Sequence, residues 1–263
     1  IATKANRIVR AAQGRAVMEF GSRRAQGYSA ATIGARAAYI GGVAGTACTI
    51  SDELYGVPAL GTMAHSWVQL FDTEYEAFKA WAEVYPDNCS LLIDTYNVLK
   101  SGLPNAIKVF DEILKPLGKR PKGIRIDSGD ITYLTKKCRK ILDAAGYEDC
   151  KIIVSNSLDE HIIRDVLSQG ACIDSFGVGE RLITAKSEPV FGGVYKLVAV
   201  EKNNKNGFQK LYIELNKYAK DELFIGMEDT GHYNFDIETN LLAKGYKVAL
   251  INPITTKNLR KAA

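Results

Sequence analysis

The chain has 263 residues, of which 46% are hydrophobic and 24% are charged, and its formal net charge at pH 7 is +4. This is an ordinary globular composition for one large domain or two smaller ones, and the slight charge does not favour a nucleic-acid-binding protein. The five cysteines lie far apart without a CxxC pair, which argues against a disulfide framework or a zinc site and favours a reducing compartment. No apolar run reaches membrane-spanning length and no signal segment opens the chain, so we expect a cytoplasmic protein.

Helix and strand alternate from the start of the chain. Ile1 already lies within a predicted helix, so we expect a natural N-terminal segment before it. A strand is predicted over 16–20, and the turn after it carries Arg23 and Arg24 before a helix over 29–40. Paired arginines at a strand end can bind phosphate or carboxylate oxygens, although a solvated helix start explains them equally well.

A histidine follows the next apolar segment. The stretch GVPALGTMAHSWVQ predicts a strand over 57–60, a glycine turn and a helix over 64–81. His65 would then lie on the first turn of that helix, where the helix dipole favours phosphate, although an isolated histidine more often only caps or packs. A further strand ends in Asp94, whose carboxylate could orient the His65 imidazole.

The motif GIRIDSGD puts an arginine and an aspartate on one face of a strand. Arg125 and Asp127 alternate with Ile124 and Ile126, so both polar side chains point into a barrel if the isoleucines face the surrounding helices. A buried salt bridge is one explanation. Because such pairs lose hydration and are weak stability devices, a ligand site is the better interpretation.

The alternation continues beyond this motif, as parallel α/β architecture requires. Helices are predicted over 104–117, 131–145 and 158–169, and strands over 151–154, 173–176 and 189–200. Polar residues follow the strands, where a parallel barrel keeps its chemistry. Gly177 and Gly179 would let backbone N–H groups approach a phosphate, although one GxG is a weak signal. The expected fold is α/β, with parallel strands near Val17, Thr46, Ala59, Leu92, Ile124, Ile153, Ser175 and Lys196 around one pocket that holds Arg125, Asp127 and His65.

The strand-end motifs, taken in chain order, resemble a known family. They are EFGSRRAQG, GTACTISD, GTMAHSW, IDTYN, GIRIDSGD, SNSLDE and FGVGERLITAKSEPVFGGVYKLV, and over residues 1–202 they resemble the barrel domain of nicotinate phosphoribosyltransferases. The resemblance implies an irregular (β/α) barrel of the type II phosphoribosyltransferases, without the N-terminal α/β domain of that family. It also implies a homodimer that makes nicotinate mononucleotide and pyrophosphate from nicotinate and phosphoribosyl pyrophosphate, with Mg²⁺ and coupled ATP hydrolysis, in NAD biosynthesis.

The resemblance also implies roles for single residues. His65 matches the histidine that ATP phosphorylates, Asp94 the acid that supports it, and Asp127 the acid near the ribose. The implied substrate-binding residues are Arg23 and Arg125 of the pyridine and phosphate pocket, Ser155 and Asn156, and the 5′-phosphate glycines Gly177 and Gly179. Ala47 stands where nicotinamide-using relatives carry an aspartate that would repel a carboxylate, so nicotinate is the expected substrate.

From residue 203 to 263 the sequence resembles something else. GMEDTGHY, a following helix and YKVALINP are similar to a fragment of the RuvC-like DEDD domain of insertion-sequence transposases, with helices predicted over 208–218 and 235–243 and strands over 223–227 and 247–251. Glu228 would match one metal-binding acid of that domain. A metal nuclease needs several converging carboxylates, so no functional nucleic-acid binding is expected. A divergent extension of the enzyme is the alternative explanation of the tail.

Two functional classes therefore remain open. One is an active phosphoribosyltransferase. The other is a non-catalytic, truncated or chimeric remnant that keeps the barrel pocket.

Overall fold

The structure, a computed structural model, describes residues 1–189, 205–228 and 235–251. The chain divides into two compact units, Ile1–Phe191 and Gly192–Ala263. Among the described residues, none of the helices combines the length and the apolar character that a membrane crossing requires.

Parallel strands form the centre of the first unit. They are β1 (Ala16–Glu19), β2 (Gly45–Thr46), β3 (Ser90–Leu92), β4 (Gly123–Ile126), β5 (Lys151–Val154) and β6 (Ser175–Val178). Their order in the sheet is β2-β1-β6-β5-β4-β3, and every neighbouring pair is parallel. The sheet curls into a half-barrel, so the carboxyl ends of all its strands lie at one rim.

Helices follow the strands along the chain. They are α1 (Ala2–Ala11), α2 (Tyr28–Ile40), α3 (Thr49–Tyr55), α4 (His65–Val68), α5 (Glu74–Val84), α6 (Leu103–Val109), α7 (Ile131–Ala144), α8 (Glu160–Ser168) and α9 (Glu180–Ile183). Two π-helical turns, Val98–Gly102 and Phe110–Leu114, flank α6. Aspartates begin two of the helices, because the side chain of Asp130 accepts the N–H of Tyr133 and that of Asp159 accepts an N–H of α8.

The predicted alternation in β4 is correct. Ile124 and Ile126 are fully buried in the hydrophobic core, whereas Arg125 is only partly buried and reaches the polar side of the sheet. Because successive side chains of a strand point to opposite faces, this local pattern decides which residues can reach a ligand.

Three predictions about helices, strands and burial differ from the structure. The single helix predicted over 64–81 is two helices, α4 and α5, because Thr73 and Glu76 form a capping box that begins a new helix. The strand predicted at Ala59 shrinks to one parallel bridge with Thr46. The helix predicted over 104–117 would place Leu117 on its apolar, core-facing side, but Leu117 is 57% exposed. The strand predicted near Lys196 and the boundary between residues 202 and 203 lie outside the described residues.

The second unit contains α10 (Lys205–Leu215), β7 (Phe224–Glu228), α11 (Phe235–Ala243) and β8 (Lys247–Ile251). This is the predicted order of helix, strand, helix and strand, with the first helix beginning earlier than expected. Strands β7 and β8 pair in parallel, with Phe224 opposite Lys247. Among the side chains described in this unit, Leu241 and Tyr246 are buried.

Candidate active site

A cleft of about 190 Å³ lies at the carboxyl ends of β1, β4, β5 and β6. It is lined by Phe20, Arg23, Arg24, Arg125, Asp127, Ser155, Asn156, Ser157, Leu158, Gly177, Gly179, Glu180, Arg181 and Lys186. All of the substrate-binding residues predicted from the sequence are among them, together with Asp127. Residues from four separate strand ends meet here because parallel strands carry their carboxyl ends to the same rim.

Arg125 is held in a fixed orientation in this cleft. Its Nε donates to Ser155 Oγ at 2.9 Å, and its Nη1 donates to Thr62 Oγ1 at 2.6 Å. Its Nη2 lies 3.3 Å from Asp127 Oδ2, and Ser155 in turn donates to Asp127 Oδ1. The side chains of Arg125 and Asp127 are 14% and 20% exposed. Arg125 and Asp127 thus form an ion pair and also line the cleft, so the salt bridge is present and the ligand site stays a prediction.

Positive charge dominates the cleft. Five cationic side chains line it, Arg23, Arg24, Arg125, Arg181 and Lys186, against the carboxylates of Asp127 and Glu180. Arg181 forms an ion pair with Asp159. Within the described part of the chain, no carboxylate pairs with Arg23 or Arg24, and both are exposed. Such a cleft favours an anionic ligand with several phosphate or carboxylate oxygens.

Asp159 pairs with an arginine that lines the cleft, and it also begins a helix. Burial raises the pKa of Asp159, but hydrogen bonds from the Ile162 N–H and from Arg181 outweigh burial, and the net pKa is lowered. The carboxylate therefore stays ionised and fixes Arg181 at the cleft.

Phe20 is a cleft residue that the sequence analysis missed. The Arg125 guanidinium carbon lies 5.6 Å from the centre of its ring. A Cβ placed on Gly177 would lie 2.6 Å from the same ring, so only glycine fits beside it. The available signal was a single aromatic residue in an otherwise polar turn after a strand. The ring gives the cleft one flat apolar face.

His65 does not line this cleft, which corrects the prediction of one shared pocket. Its Nε2 lies 3.1 Å from Asp94 Oδ1. The other oxygen of Asp94 accepts the Asp127 N–H at 2.9 Å and the Ser128 hydroxyl at 2.6 Å. His65 is outside because the chain before it, at Thr62, already occupies the position next to Arg125. The structure nevertheless brings His65, Asp94 and the loop after β4 together through one buried carboxylate.

Both nitrogens of His65 have distinct surroundings. Nε2 faces Asp94, whereas Nδ1 has no hydrogen bond to the part of the chain that the structure describes. The His65 side chain is 40% exposed and the Asp94 side chain is 0% exposed. A carboxylate that accepts an N–H from Nε2 leaves the lone pair on Nδ1. In this tautomer the unprotonated nitrogen is Nδ1, on a side chain that is partly open to solvent.

Metal ligands are sparse. Among the described residues, no group of three His, Cys, Asp or Glu side chains could hold a metal ion. Asp127 is a predicted site residue whose carboxylate lines the cleft. Its oxygens contact Arg125 and Ser155, and each oxygen has a second lone pair that could bind a cation. This donor set fits Mg²⁺ that is bound by one carboxylate and mainly by the phosphate oxygens of a ligand.

Comparison with known proteins identifies the family. The profile of the nicotinate phosphoribosyltransferase (NAPRTase) family matches residues 15–217. The chain belongs to this family. The match covers all the site residues above and also reaches beyond the predicted join near residue 203.

Individual family members support the assignment. The chain is 50% identical over 207 residues to the nicotinate phosphoribosyltransferase of Bacillus subtilis, which covers 78% of this chain and 41% of that protein. It is 44% identical over 210 residues to nicotinate phosphoribosyltransferase pncB2 of Mycobacterium tuberculosis, with coverages of 79% and 44%. The crystal structure of human nicotinic acid phosphoribosyltransferase matches with a TM-score of 0.61 at 28% identity, over 68% of this chain and 46% of that one. The chain therefore spans less than half the length of these relatives.

Proposed function

We propose that the protein is a nicotinate phosphoribosyltransferase, which forms nicotinate mononucleotide and pyrophosphate from nicotinate and phosphoribosyl pyrophosphate with hydrolysis of ATP. The observation that carries this proposal is the cationic cleft, in which Asp127 is held by Arg125 and Ser155. A substrate with a 5′-phosphate, a pyrophosphate and a carboxylate matches this surplus of positive charge. The product would enter NAD biosynthesis.

Different cleft residues bind different parts of the substrate. The backbone around Gly177 and Gly179 binds the 5′-phosphate, and Asn156 with Ser155 lies beside the ribose. Phe20 offers its ring to the pyridine, whose carboxylate Arg23 or Arg125 binds. Departure of pyrophosphate builds positive charge on the sugar, and the Asp127 carboxylate stabilises that charge.

His65 is the proposed phosphoryl acceptor from ATP, with Asp94 as its support. The Asp94 carboxylate accepts a hydrogen bond from the N–H of Nε2, so the nitrogen that would attack ATP is Nδ1. Phosphorylation adds about two negative charges beside the carboxylate that also binds the Asp127 N–H and Ser128. Through Asp94, phosphorylation of His65 by ATP would change the affinity of the cleft for phosphoribosyl pyrophosphate.

Mg²⁺ would bind together with the pyrophosphate, and Asp127 is the cleft carboxylate that could contribute a ligand. When bound there, it would neutralise charge on the leaving group. Arg125, Ser155 and Asp127 orient the sugar.

Nicotinate, not nicotinamide, is the proposed pyridine. Ala47, at the carboxyl end of β2, is exposed and uncharged. An aspartate at this position would repel a carboxylate, and alanine does not.

Two further proposals concern assembly and the second unit. A homodimer is supported by apolar side chains on α2 and α3 that are exposed in the single chain, namely Ile33 at 58%, Ile40 at 71% and Leu54 at 51%. A transposase-like origin of residues 203–263 is supported by the motif GMEDTGHY and by the order of α10, β7, α11 and β8.

The decisive experiment supplies the purified protein with nicotinate, phosphoribosyl pyrophosphate, ATP and Mg²⁺, and measures nicotinate mononucleotide. We expect formation of the nucleotide with nicotinate and none with nicotinamide. Binding of phosphoribosyl pyrophosphate without any turnover would instead support the non-catalytic alternative. Absence of both would overturn the proposed function.

A further inference from the structure

Glu19 is a buried carboxyl group at the end of β1, one residue before the cleft. Its exposure is 0% and both of its oxygens are occupied. Oε1 accepts the N–H of Gly21, and Oε2 accepts the hydroxyl of Thr46 at 2.6 Å. Burial raises the pKa of Glu19, and the hydrogen bonds from Thr46 and Gly21 act against that rise. The carboxylate thus joins two strand ends that are 27 positions apart in the chain.

The first contact holds the turn that carries the cleft arginines. Gly21 precedes the helical turn Ser22–Arg24, which contains Arg23 and Arg24, and it follows Phe20. There is little free space, because a Cβ on Gly21 would lie 2.7 Å from Glu19 Oε1 and 2.5 Å from Ile183 Cβ. Displacing the carboxylate therefore displaces the turn.

The second contact holds the segment that leads to His65. Thr46 Oγ1 also accepts the N–H of Cys48 at 3.0 Å. The Thr46 backbone bonds to the neighbouring segment twice, from its N–H to Pro58 O at 2.9 Å and from the Leu60 N–H to its own carbonyl at 2.8 Å. This segment continues to Thr62, which binds Arg125.

A stability role alone is a poor explanation of this carboxylate. Taking a charge out of water is costly, and two hydrogen bonds from neutral donors offset that cost only in part. Glu19 does not line the cleft, so it cannot touch substrate. What it does contact is the turn after β1, through Gly21, and the end of β2, through Thr46.

We propose that Glu19 is a positioning residue for the phosphoribosyl pyrophosphate site, because its carboxylate holds the Phe20–Arg24 turn and the end of β2 in one arrangement. The inference rests on the proposed function for the identity of the ligand. The position of the turn itself does not depend on that function.

The binding test uses phosphoribosyl pyrophosphate with Mg²⁺ in isothermal titration calorimetry of the full chain. Glu19→Gln keeps the shape but replaces one acceptor oxygen by a donor, and Thr46→Val removes the hydroxyl donor. We expect both to weaken binding by about tenfold to a hundredfold, as small displacements of binding groups do. Thr46→Ser restores the hydroxyl and is expected to bind like the wild type. The matched control is Glu53→Gln, an exposed glutamate on α3.

A second measurement reports the turn without any ligand. Hydrogen–deuterium exchange of the peptide over residues 18–27 should be faster in Glu19→Gln than in Glu53→Gln, because a single carbonyl oxygen cannot accept from both the Gly21 N–H and the Thr46 hydroxyl as the two carboxylate oxygens do. The thermal midpoint of Glu19→Gln should stay close to that of the wild type, since removing a buried charge offsets the lost hydrogen bond. Weaker binding with an unchanged midpoint distinguishes positioning from loss of fold.

The outcomes separate the two proposals. If the wild type does not bind phosphoribosyl pyrophosphate, the proposed function fails, whereas faster exchange in Glu19→Gln would still support the role of Glu19 in holding the turn. Unchanged exchange, or wild-type affinity in both Glu19→Gln and Thr46→Val, overturns the role of Glu19. If Glu19→Gln does not fold, the Thr46→Val and Thr46→Ser pair decides, and equal loss of affinity in both overturns the proposal.

Discussion

At the scale of single residues, the site depends on side chains that each make several contacts. One oxygen of Asp94 contacts His65 and the other accepts the Asp127 N–H. Arg125 uses three different nitrogens to contact Ser155, Thr62 and Asp127. A residue with several partners in different elements cannot be replaced by one of equal charge without loss of geometry. Substitutions at these positions therefore test function more than stability.

His65 is predicted to be the phosphorylated residue. With ATP and Mg²⁺ the protein should gain an acid-labile, base-stable phosphate, measured by retention of radioactive phosphate after alkaline treatment. His65→Ala should abolish the label, because the ring nitrogen Nδ1 that would accept the phosphoryl group is lost. His161→Ala and His232→Ala are the controls and should leave the label intact. Phosphate that remains in His65→Ala would refute the assignment.

Arg125→Lys should weaken the site although the charge is kept. An ammonium group cannot hold Ser155, Thr62 and Asp127 together as the planar guanidinium does. We expect the KM for phosphoribosyl pyrophosphate to rise at least about tenfold, equivalent to about 1.4 kcal/mol. Arg7→Lys, at an exposed position of α1, should leave the KM unchanged. Equal KM values in the two variants would argue against a role for Arg125 in substrate binding.

At the scale of elements, the strand ends supply the cleft and the helix starts hold it in place. α8 is the clearest case, because Asp159 accepts the N–H groups of His161 at 3.1 Å and Ile162 at 2.9 Å while it pairs with Arg181 of the cleft. One carboxylate thus begins a helix and orients a cleft arginine. The element and the site are stabilised together.

Asp159→Ala should lower the free energy of unfolding by about 1–2 kcal/mol at neutral pH, because a helix cap and an ion pair are lost. The pKa of Asp159 is lowered by folding from its ordinary value of 3.8, so its contribution is present above that pH and disappears as the pH falls through the lower, folded-state pKa. Urea unfolding at several pH values should show the difference between wild type and variant shrinking below about pH 4. Asp165→Ala, 60% exposed on the same helix, is the control and should show little difference.

At the scale of the whole molecule, the chain has one large unit with a continuous core and one small unit. The described residues of the small unit, 205–228 and 235–251, contain one pair of strands, β7 and β8, and among their side chains Leu241 and Tyr246 are buried. A two-stranded sheet with so little burial is marginal by itself. The stability of the first unit should therefore depend little on the second.

Truncation after Glu201 should leave the thermal midpoint of the first unit within a few degrees of its original value, as measured by circular dichroism. Truncation within 194–200 removes part of a predicted barrel strand and should lower the midpoint clearly, because core surface becomes exposed. Limited proteolysis should agree, with cleavage between 201 and 207 that leaves a resistant core. A large loss of stability on removing residues 202–263 would show that the tail belongs to the fold of the enzyme.

The sequence by itself determined the local features of this protein. The alternation of strand and helix, the orientation of Arg125 and Asp127 opposite Ile124 and Ile126, and the position of the cleft residues after strands all follow from patterns a few residues long. The family also followed from such motifs, because most of them lie at a single strand end. Local patterns suffice to predict these features because the residues involved are close together both along the chain and in space.

Only the tertiary structure decided which strand ends meet. The order β2-β1-β6-β5-β4-β3 brings Glu19 to Thr46 and Arg125 to Ser155, and it leaves His65 outside the cleft but tied to it through Asp94. Glu19 carries no local signal of its role, and Phe20 carries only that of an aromatic residue at a strand end, since their partners are supplied by other parts of the chain. Burial and hydrogen bonding between residues far apart in the chain depend on how the whole sheet packs, which no short pattern contains.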